Sequence, residues 1–464
     1  MAWPVTTLRG RSSFLLGCLL LALSGCGLEH YREAPLEPVR SADEYLSRGL
    51  DVPVVRDLFL KEGHDWPPAR WDGEALVLAA RALNPSLVVA RAEVAVAEAE
   101  VVRAGAGIDP SAGGQAEHHS LRQEGSFWSL GGFLELVFER PAKRQARIAH
   151  ARAALEGQRM ALQEAQWRIR GEVLDAWELL RHRQRMNRIV HRRLELLERM
   201  KALLERRYEL GESGGFELDT LRLELLRARI ELRRSESELH AGWRELARRV
   251  GVTEEKLHAV VQLPDAAPPP AAGLPDPGLL QRRMLHQHAS ILRALQDYAV
   301  VDAGLRLAVE EQYPDLKLSP GYLFDQGDNV WSLTGALTLP LLRNHTGAIE
   351  KARREREREA ARFRALQAEL IARLRAAHGA ARDTDDALEE ARLLLQAAHR
   401  REQRMRRNYE LGESDVLDWL RSRLQTLEAE AAVERMAHEQ RSGRLGLEQA
   451  SQVRLGEPAA GGDE

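Results

Sequence analysis

Few side chains in this chain are of a type and spacing that could do chemistry. His118-His119 and His286-x-His288 are residue types that bind soft divalent metals. No cysteine lies near either pair, and the nearby acids, Glu117 among them, have no recognised ligand spacing. They read as incidental surface histidines, and neither a metal nor a cofactor is expected. No phosphate-cradling glycine run and no HExxH occurs, so no enzyme activity is expected. Two acids matter by position: Glu217 and Asp418 occupy matching places in an internal repeat. On their own they read as ordinary acids in the first turn of a helix, favoured there by the macrodipole.

The cysteines speak to location. Only Cys18 and Cys26 are present. Arg9 and Arg11 give a positive start and Phe14 to Leu23 a short apolar stretch, the pattern of a secretion signal too short to span a bilayer. It runs into Leu23-Ser24-Gly25-Cys26, which resembles the lipobox of bacterial lipoproteins. That resemblance implies cleavage after residue 25 and acylation of Cys26 as a lipid anchor. Cys18 would leave with the signal, so the mature chain could form no internal disulfide. Gly27 after the cysteine resembles lipoproteins sent to the outer membrane.

The chain has 464 residues, 30% of them charged and 5% aromatic. That balance suits long helices with narrow apolar seams. The net charge of -3 leaves no excess of positive charge for nucleic acid, and acids interleave with the arginines of 353–362 as on a solvated helix face.

The elements that would position these residues are duplicated. Tyr208-Glu209-Leu210-Gly211-Glu212-Ser213 recurs as Tyr409-Glu410-Leu411-Gly412-Glu413-Ser414, and Trp128-x-Leu130-x-Gly132-x-Leu134-x-Leu136 recurs as Trp331-x-Leu333-x-Gly335-x-Leu337-x-Leu339. The hexamer glycines mark a sharp bend in a helical path; the tryptophan-led stretches have strand period. The same two signals in the same order, twice, indicate a duplicated unit.

The chain then reads as a signal peptide (1–25), an extended, proline-broken arm (26–73), a first repeat (74–262), a Pro/Ala-rich linker (263–278), a second repeat (279–450) and a disordered tail (451–464). Asn84 would cap a helix that starts at Pro85. Gly113 to Phe138 reads as a hairpin, and Leu316 to Leu339 as its counterpart. Trp128, Leu130, Leu134 and Leu136 share one strand face, as do Trp331, Leu333, Leu337 and Leu339. A membrane-crossing strand needs about 9–11 residues and an apolar lipid face, and both stretches meet that. Pro141 opens a helix to about Arg207. Its two apolar seams, one through Ile189, Leu196 and Met200 and one through Val190, Leu197 and Leu204, predict neighbours on both sides. Leu279 to Gln312 reads as one helix. The fold class is mostly α with a small membrane β part, in two tandem helix–strand–strand–helix repeats.

Together the Asn84-Pro85 corner, two strand pairs, two long helical hairpins and a Tyr-x-x-Gly turn in each repeat resemble the TolC family of outer-membrane efflux proteins, over about residues 74–450. The segments 139–144 and 339–347 are similar to its cobalt–zinc–cadmium resistance branch. The resemblance implies a homotrimer in which three protomers give four strands each to a 12-stranded barrel and their helices form a periplasmic tunnel. It implies an inner-membrane pump, of the resistance-nodulation-division type, and a periplasmic adaptor as partners. Tyr208, Gly211, Tyr409 and Gly412 match the family's periplasmic tip turns, and Glu217 and Asp418 match acids near its tip constriction, a candidate gate. Physics adds one constraint: four strands have two open edges, and hydrocarbon cannot satisfy them, so like subunits must close the barrel. The expected function is a passive outer-membrane exit duct; the alternative is a structural or adaptor-like periplasmic coiled-coil lipoprotein.

Overall fold

The computed structural model describes residues 29–119, 127–264, 273–325, 327–337 and 345–455. Cys26 and Leu339 lie outside the described residues. The chain divides into two units, residues 1–47 and 48–464. In the first, helix α1 (Pro38–Ser47) has no buried residue and carries an Arg40–Glu44 ion pair one turn apart.

The second unit holds all other described elements. It begins with α2 (Pro53–Lys61), α3 (Gly73–Leu83) and α4 (Pro85–Gly105). The arm expected to be extended over 26–73 is therefore partly helical. Pro38 and Pro53 start helices, where the missing N–H costs nothing, instead of breaking them. Val55 and Phe59 of α2 are buried in a cluster with Leu76, Leu83, Trp177 and Leu246, with Trp66 and Trp71 edge-on to Phe59.

Next come β1 (Ser111–His118), β2 (Trp128–Phe138), α5 (Pro141–Glu209), α6 (Gly215–Val250), α7 (Glu254–His258), α8 (Pro277–Gln287), α9 (Ala289–Glu310), β3 (Leu316–Asp325), β4 (Asp328–Leu337), α10 (Thr346–Glu410) and α11 (Val416–Ser451). The 69 residues of α5 span about 100 Å at ~1.5 Å per residue. Helix α5 packs on α6 of its own repeat and on α11 of the other: Leu196, Leu197, Met200 and Leu204 share a core with Leu218, Leu221 and Leu225 of α6 and Leu417, Leu420 and Leu427 of α11. The two seams read along α5 have this cause.

Leu279 to Gln312 is not one helix. It breaks at His288, between α8 and α9, the counterpart of Asn84. In the first repeat Asn84 Oδ1 accepts from Ser86 N at 2.9 Å and Nδ2 donates to Arg249 O at 2.8 Å. Gly251 ends α6 at φ 95°, and a Cβ there would lie 2.8 Å from Leu83 O. In the second repeat His288 Nδ1 accepts from Ser290 N at 3.2 Å, and Gln452, at φ 52°, takes the glycine's place and accepts from Ala289 N at 2.6 Å. No proline marks this second corner, so the helical pattern of the sequence continues through it unbroken. His288 is 3% exposed, a buried cap and not a surface histidine. Residues 451–455, assigned to the tail, finish this corner: Val453 is buried beside Leu280 and Leu447. Likewise Pro277, assigned to the linker, opens α8.

The four strands form one antiparallel sheet in the order β1-β2-β3-β4. Pro320 lies in inner strand β3, and the β2–β3 ladder has a gap there, between the Phe133–Gly321 and Leu136–Leu318 pairs. Among the described residues no single helix is long and apolar enough to cross a membrane; α3 and α4 reach that composition only as a pair bent by 49°.

Candidate functional site

Two regions carry the residues singled out by sequence: the sheet and the two helical hairpin tips. In the sheet, register decides the faces. The Leu130–Phe324, Leu136–Leu318 and Phe138–Leu316 pairs join β2 to β3, and the Tyr322–Trp331 and Leu316–Leu337 pairs join β3 to β4. Directly paired residues share a face, so Trp128, Leu130, Leu134 and Leu136 lie on the same side of the sheet as Trp331, Leu333 and Leu337. Trp331 and Leu333 are 79% and 72% exposed in the protomer. Large apolar side chains left so exposed on one side of a sheet need an apolar environment.

The other face is mostly polar. Lys317 Nζ reaches Glu135 Oε1 at 3.1 Å. Ser129, 1% exposed, donates to Asp325 and meets His119 Nε2 at 2.9 Å. Phe133 shares this face between two glycines, Gly113 on β1 and Gly321 on β3. A Cβ at Gly113 would lie 2.4 Å from the Phe133 ring, so the glycine makes room for the aromatic that spoils the sequence alternation. Both histidines of the 118–119 pair have structural neighbours: His118 packs on Phe127 and Trp128. Among the described residues no three His, Cys, Asp or Glu side chains could hold a metal together.

At the tips, both hexamers are helix C-terminal turns of one design. Gly211 and Gly412 have φ of 74° and 78°. Glu212 N donates to Arg207 O and Glu413 N to Asn408 O, both at 2.8 Å, while Gly211 N and Gly412 N reach Tyr208 O and Tyr409 O at 3.0 Å. That pair of bonds is the Schellman motif, which satisfies the last carbonyls of a helix and needs a left-handed residue. The tyrosines reach over the turn. Tyr409 stacks on Trp419 at 5.7 Å, and a Cβ on Gly215 would lie 3.5 Å from the Tyr208 ring.

The residues Gly211 to Gly215 also fit the G-x-S-x-G spacing of a nucleophile elbow. That motif needs a strand-to-helix turn; here it joins α5 to α6, and Ser213 Oγ has no hydrogen-bond partner to activate it.

Glu217 and Asp418 do come together, around one cation: Arg421 donates to Glu217 of the first hairpin and, at 3.3 Å, to Asp418 of its own helix. A second link was not read from the sequence. Arg207 holds both oxygens of Asp415 at 2.5 Å, from hairpin to hairpin. The Arg207 hydrogen bonds keep the Asp415 carboxyl below its usual range, and that carboxylate raises Arg207. The signal was available: the hexamers are followed by Gly214-Gly215 in one repeat and Asp415-Val416 in the other, so only the second has a charged residue at the N-cap of its helix.

Residues 76–252 match the family described as "Outer membrane efflux protein". The match covers the first repeat and stops before the second. Likeness of fold to solved structures extends through the second repeat. The structure is similar to that of CusC, with 15% identity, a TM-score of 0.67 and coverage of 92% of this chain and 99% of that one. VceC from Vibrio cholerae has 19% identity and a TM-score of 0.67, over 82% of this chain and 95% of that one. The open state of Neisseria gonorrhoeae MtrE has 14% identity and a TM-score of 0.66, over 82% and 88%. No curated protein matches by sequence.

Proposed function

We propose that this chain is the outer-membrane duct of a tripartite efflux system, a passive exit for cargo delivered by an inner-membrane pump of the resistance-nodulation-division type and a periplasmic adaptor. The observation that carries this reading is the sheet: four strands with one apolar, uncovered face and two open edges, joined to helices about 100 Å long. Open edges in lipid cost several kcal/mol per unsatisfied group, so the sheet must close with other copies, and a homotrimer with 12 strands is the closure the family resemblance supports. Helix packing agrees: only five residues of α10 are buried in the protomer, against nineteen of α5, which leaves α10 a face for a neighbour. The uncovered apolar strands argue against the coiled-coil alternative, which has no use for them.

The remaining assignments follow from this reading. Cys26 is the acylated anchor. Tyr208, Gly211, Tyr409 and Gly412 form the periplasmic tips. Glu217 and Asp418 are gate acids, and Arg207–Asp415 and Arg421–Glu217 hold the two tips of one protomer together when the duct is closed.

Mass measurement in detergent combined with single-channel recording tests the reading. The expected result is a trimer that conducts after reconstitution; a monomer without conductance overturns it.

A further inference from the structure

About midway along the helices, away from both tips and sheet, the seam between the repeats contains a half-buried pair of imidazoles. His182 of α5 and His438 of α11 stack with ring centroids 4.4 Å apart and planes 13° apart. Neither Nδ1 makes a hydrogen bond; His182 Nδ1 stops 3.5 Å from Glu434 Oε1.

The charges around the pair are unbalanced. From α5, Arg181 pairs with Glu178 at 2.7 Å and Arg185 reaches Glu434 at 3.3 Å. From α11, Arg441 reaches Glu178 at 2.8 Å and Glu434 at 3.4 Å. Arg183 of α5 also bears on His438 and lies over Gly242 of α6. One turn along, α6 supplies the uncharged Ser235, bonded to Asn187. Helix α10 supplies Asp385, which is taken by Arg444 and Gln440. Five guanidinium groups thus stand against three carboxylates, and all three carboxylates are already engaged. His182 turns its Nδ1 toward Glu434. A proton on His438 would add positive charge to a site that already has a surplus of it and little water.

We propose that the His182–His438 stack is an acid-sensitive joint between the two repeats: protonating His438 drives α5 and α11 apart. The joint lies within one chain and holds whatever the chain transports.

Burial, and then His182 and Arg441, push His438 down to about 4, against the pull of Glu434. Burial works to raise Glu434, yet His182, Arg185 and Arg441 together keep it below its usual range. His438 is therefore neutral in the closed seam near neutral pH. In an opened seam it would regain the ordinary value of 6.5. The group is depressed by the closed form, so that form loses ground as pH falls from 6.5 toward about 4. Integrating that window, opening should rise roughly 20-fold between about pH 7 and pH 5.

Amide hydrogen exchange on the full-length protein in detergent, corrected for intrinsic rates, reads this on peptides from α5 and α11 that contain the two histidines. Wild type should show the acid-driven rise in exchange, and His438→Gln should abolish it. A wild-type seam indifferent to pH, or a His438→Gln variant that responds like wild type, overturns the joint. Exchange at the imidazole C2–H of wild-type His438 guards against a variant that misfolds: a midpoint well below the ordinary histidine range supports the proposal, and an ordinary one overturns it.

Discussion

Arg207 of the first hairpin grips both carboxylate oxygens of Asp415 in the second, across 208 positions of chain. It is a bidentate pair between repeat tips that are otherwise joined at this level by Arg421 and Glu217. Both partners are about one-third exposed, so the bond is worth only ~0.2–1 kcal/mol, a fewfold change in an equilibrium between tip positions. Small terms of this size suit a contact that has to break during function. Asp415→Asn or Arg207→Ala should raise the open probability of single channels up to about fivefold, and the exchanged pair Arg207→Asp with Asp415→Arg should restore much of the closed state. Single variants that gate like wild type would remove this pair from the closing mechanism.

The acid range of this contact follows from its sign. Arg207 holds Asp415 below the ordinary aspartate value. A carboxyl depressed in the folded form contributes fully above its unfolded value, and that contribution fades as pH falls through the folded one. The Arg207–Asp415 pair should therefore be indifferent to pH between about 5 and 8, unlike the His182–His438 seam, and gating should show two separable acid responses. A tip response already present at pH 6 and lost in Asp415→Asn would contradict this.

Glu217 and Asp418 flank one arginine. Removing both carboxylates with Glu217→Ala and Asp418→Ala should reduce the preference for cations and free Arg421. Ion-selectivity measurements in asymmetric salt read this, and a double variant with unchanged conductance and selectivity would end the gate assignment.

The tip glycines face open space: nothing lies within 4 Å of a Cβ built on Gly211 or Gly412. Substitution there should cost backbone strain alone, about 1–2 kcal/mol for alanine in the left-handed region. Asparagine, which tolerates that region, should cost less. Protease cleavage at the tips, compared across Gly412→Ala and Gly412→Asn, gives the order; equal behaviour of the two would speak against strain as the cause.

Trp331 and Trp128 share the uncovered face of the sheet. Brominated lipid should quench both, and Trp331→Lys should weaken assembly in membranes by up to ~2–4 kcal/mol, depending on the depth of the site. Tryptophans untouched by the quencher would place this face against protein.

The duplication made much of this legible in advance. A repeated hexamer with glycine and a repeated tryptophan-led strand are local signals, and local backbone rules translate them directly into turns and strands. The first corner was legible as well, because Asn84-Pro85 states both its cap and its start. The second corner was not. His288 and Gln452 perform the same work as Asn84 and Gly251 through side-chain hydrogen bonds, and neither residue type advertises a cap or a left-handed backbone. Pro38 and Pro53 misled for a related reason: proline stops a helix or starts one, and only its surroundings say which.

By itself, the order of residues determined the repeats, the turns, the strand faces and the length of the helices, because each depends on neighbours within a few positions. Folding alone decided which distant charges meet. Arg207 with Asp415, Arg421 with Glu217 and His182 with His438 are pairs about two hundred or more positions apart, and each depends on the relative rotation of two long helices. Periodicity says that such a helix has a buried seam; the packing of α5 between α6 and α11 sets which charged residue ends up opposite which.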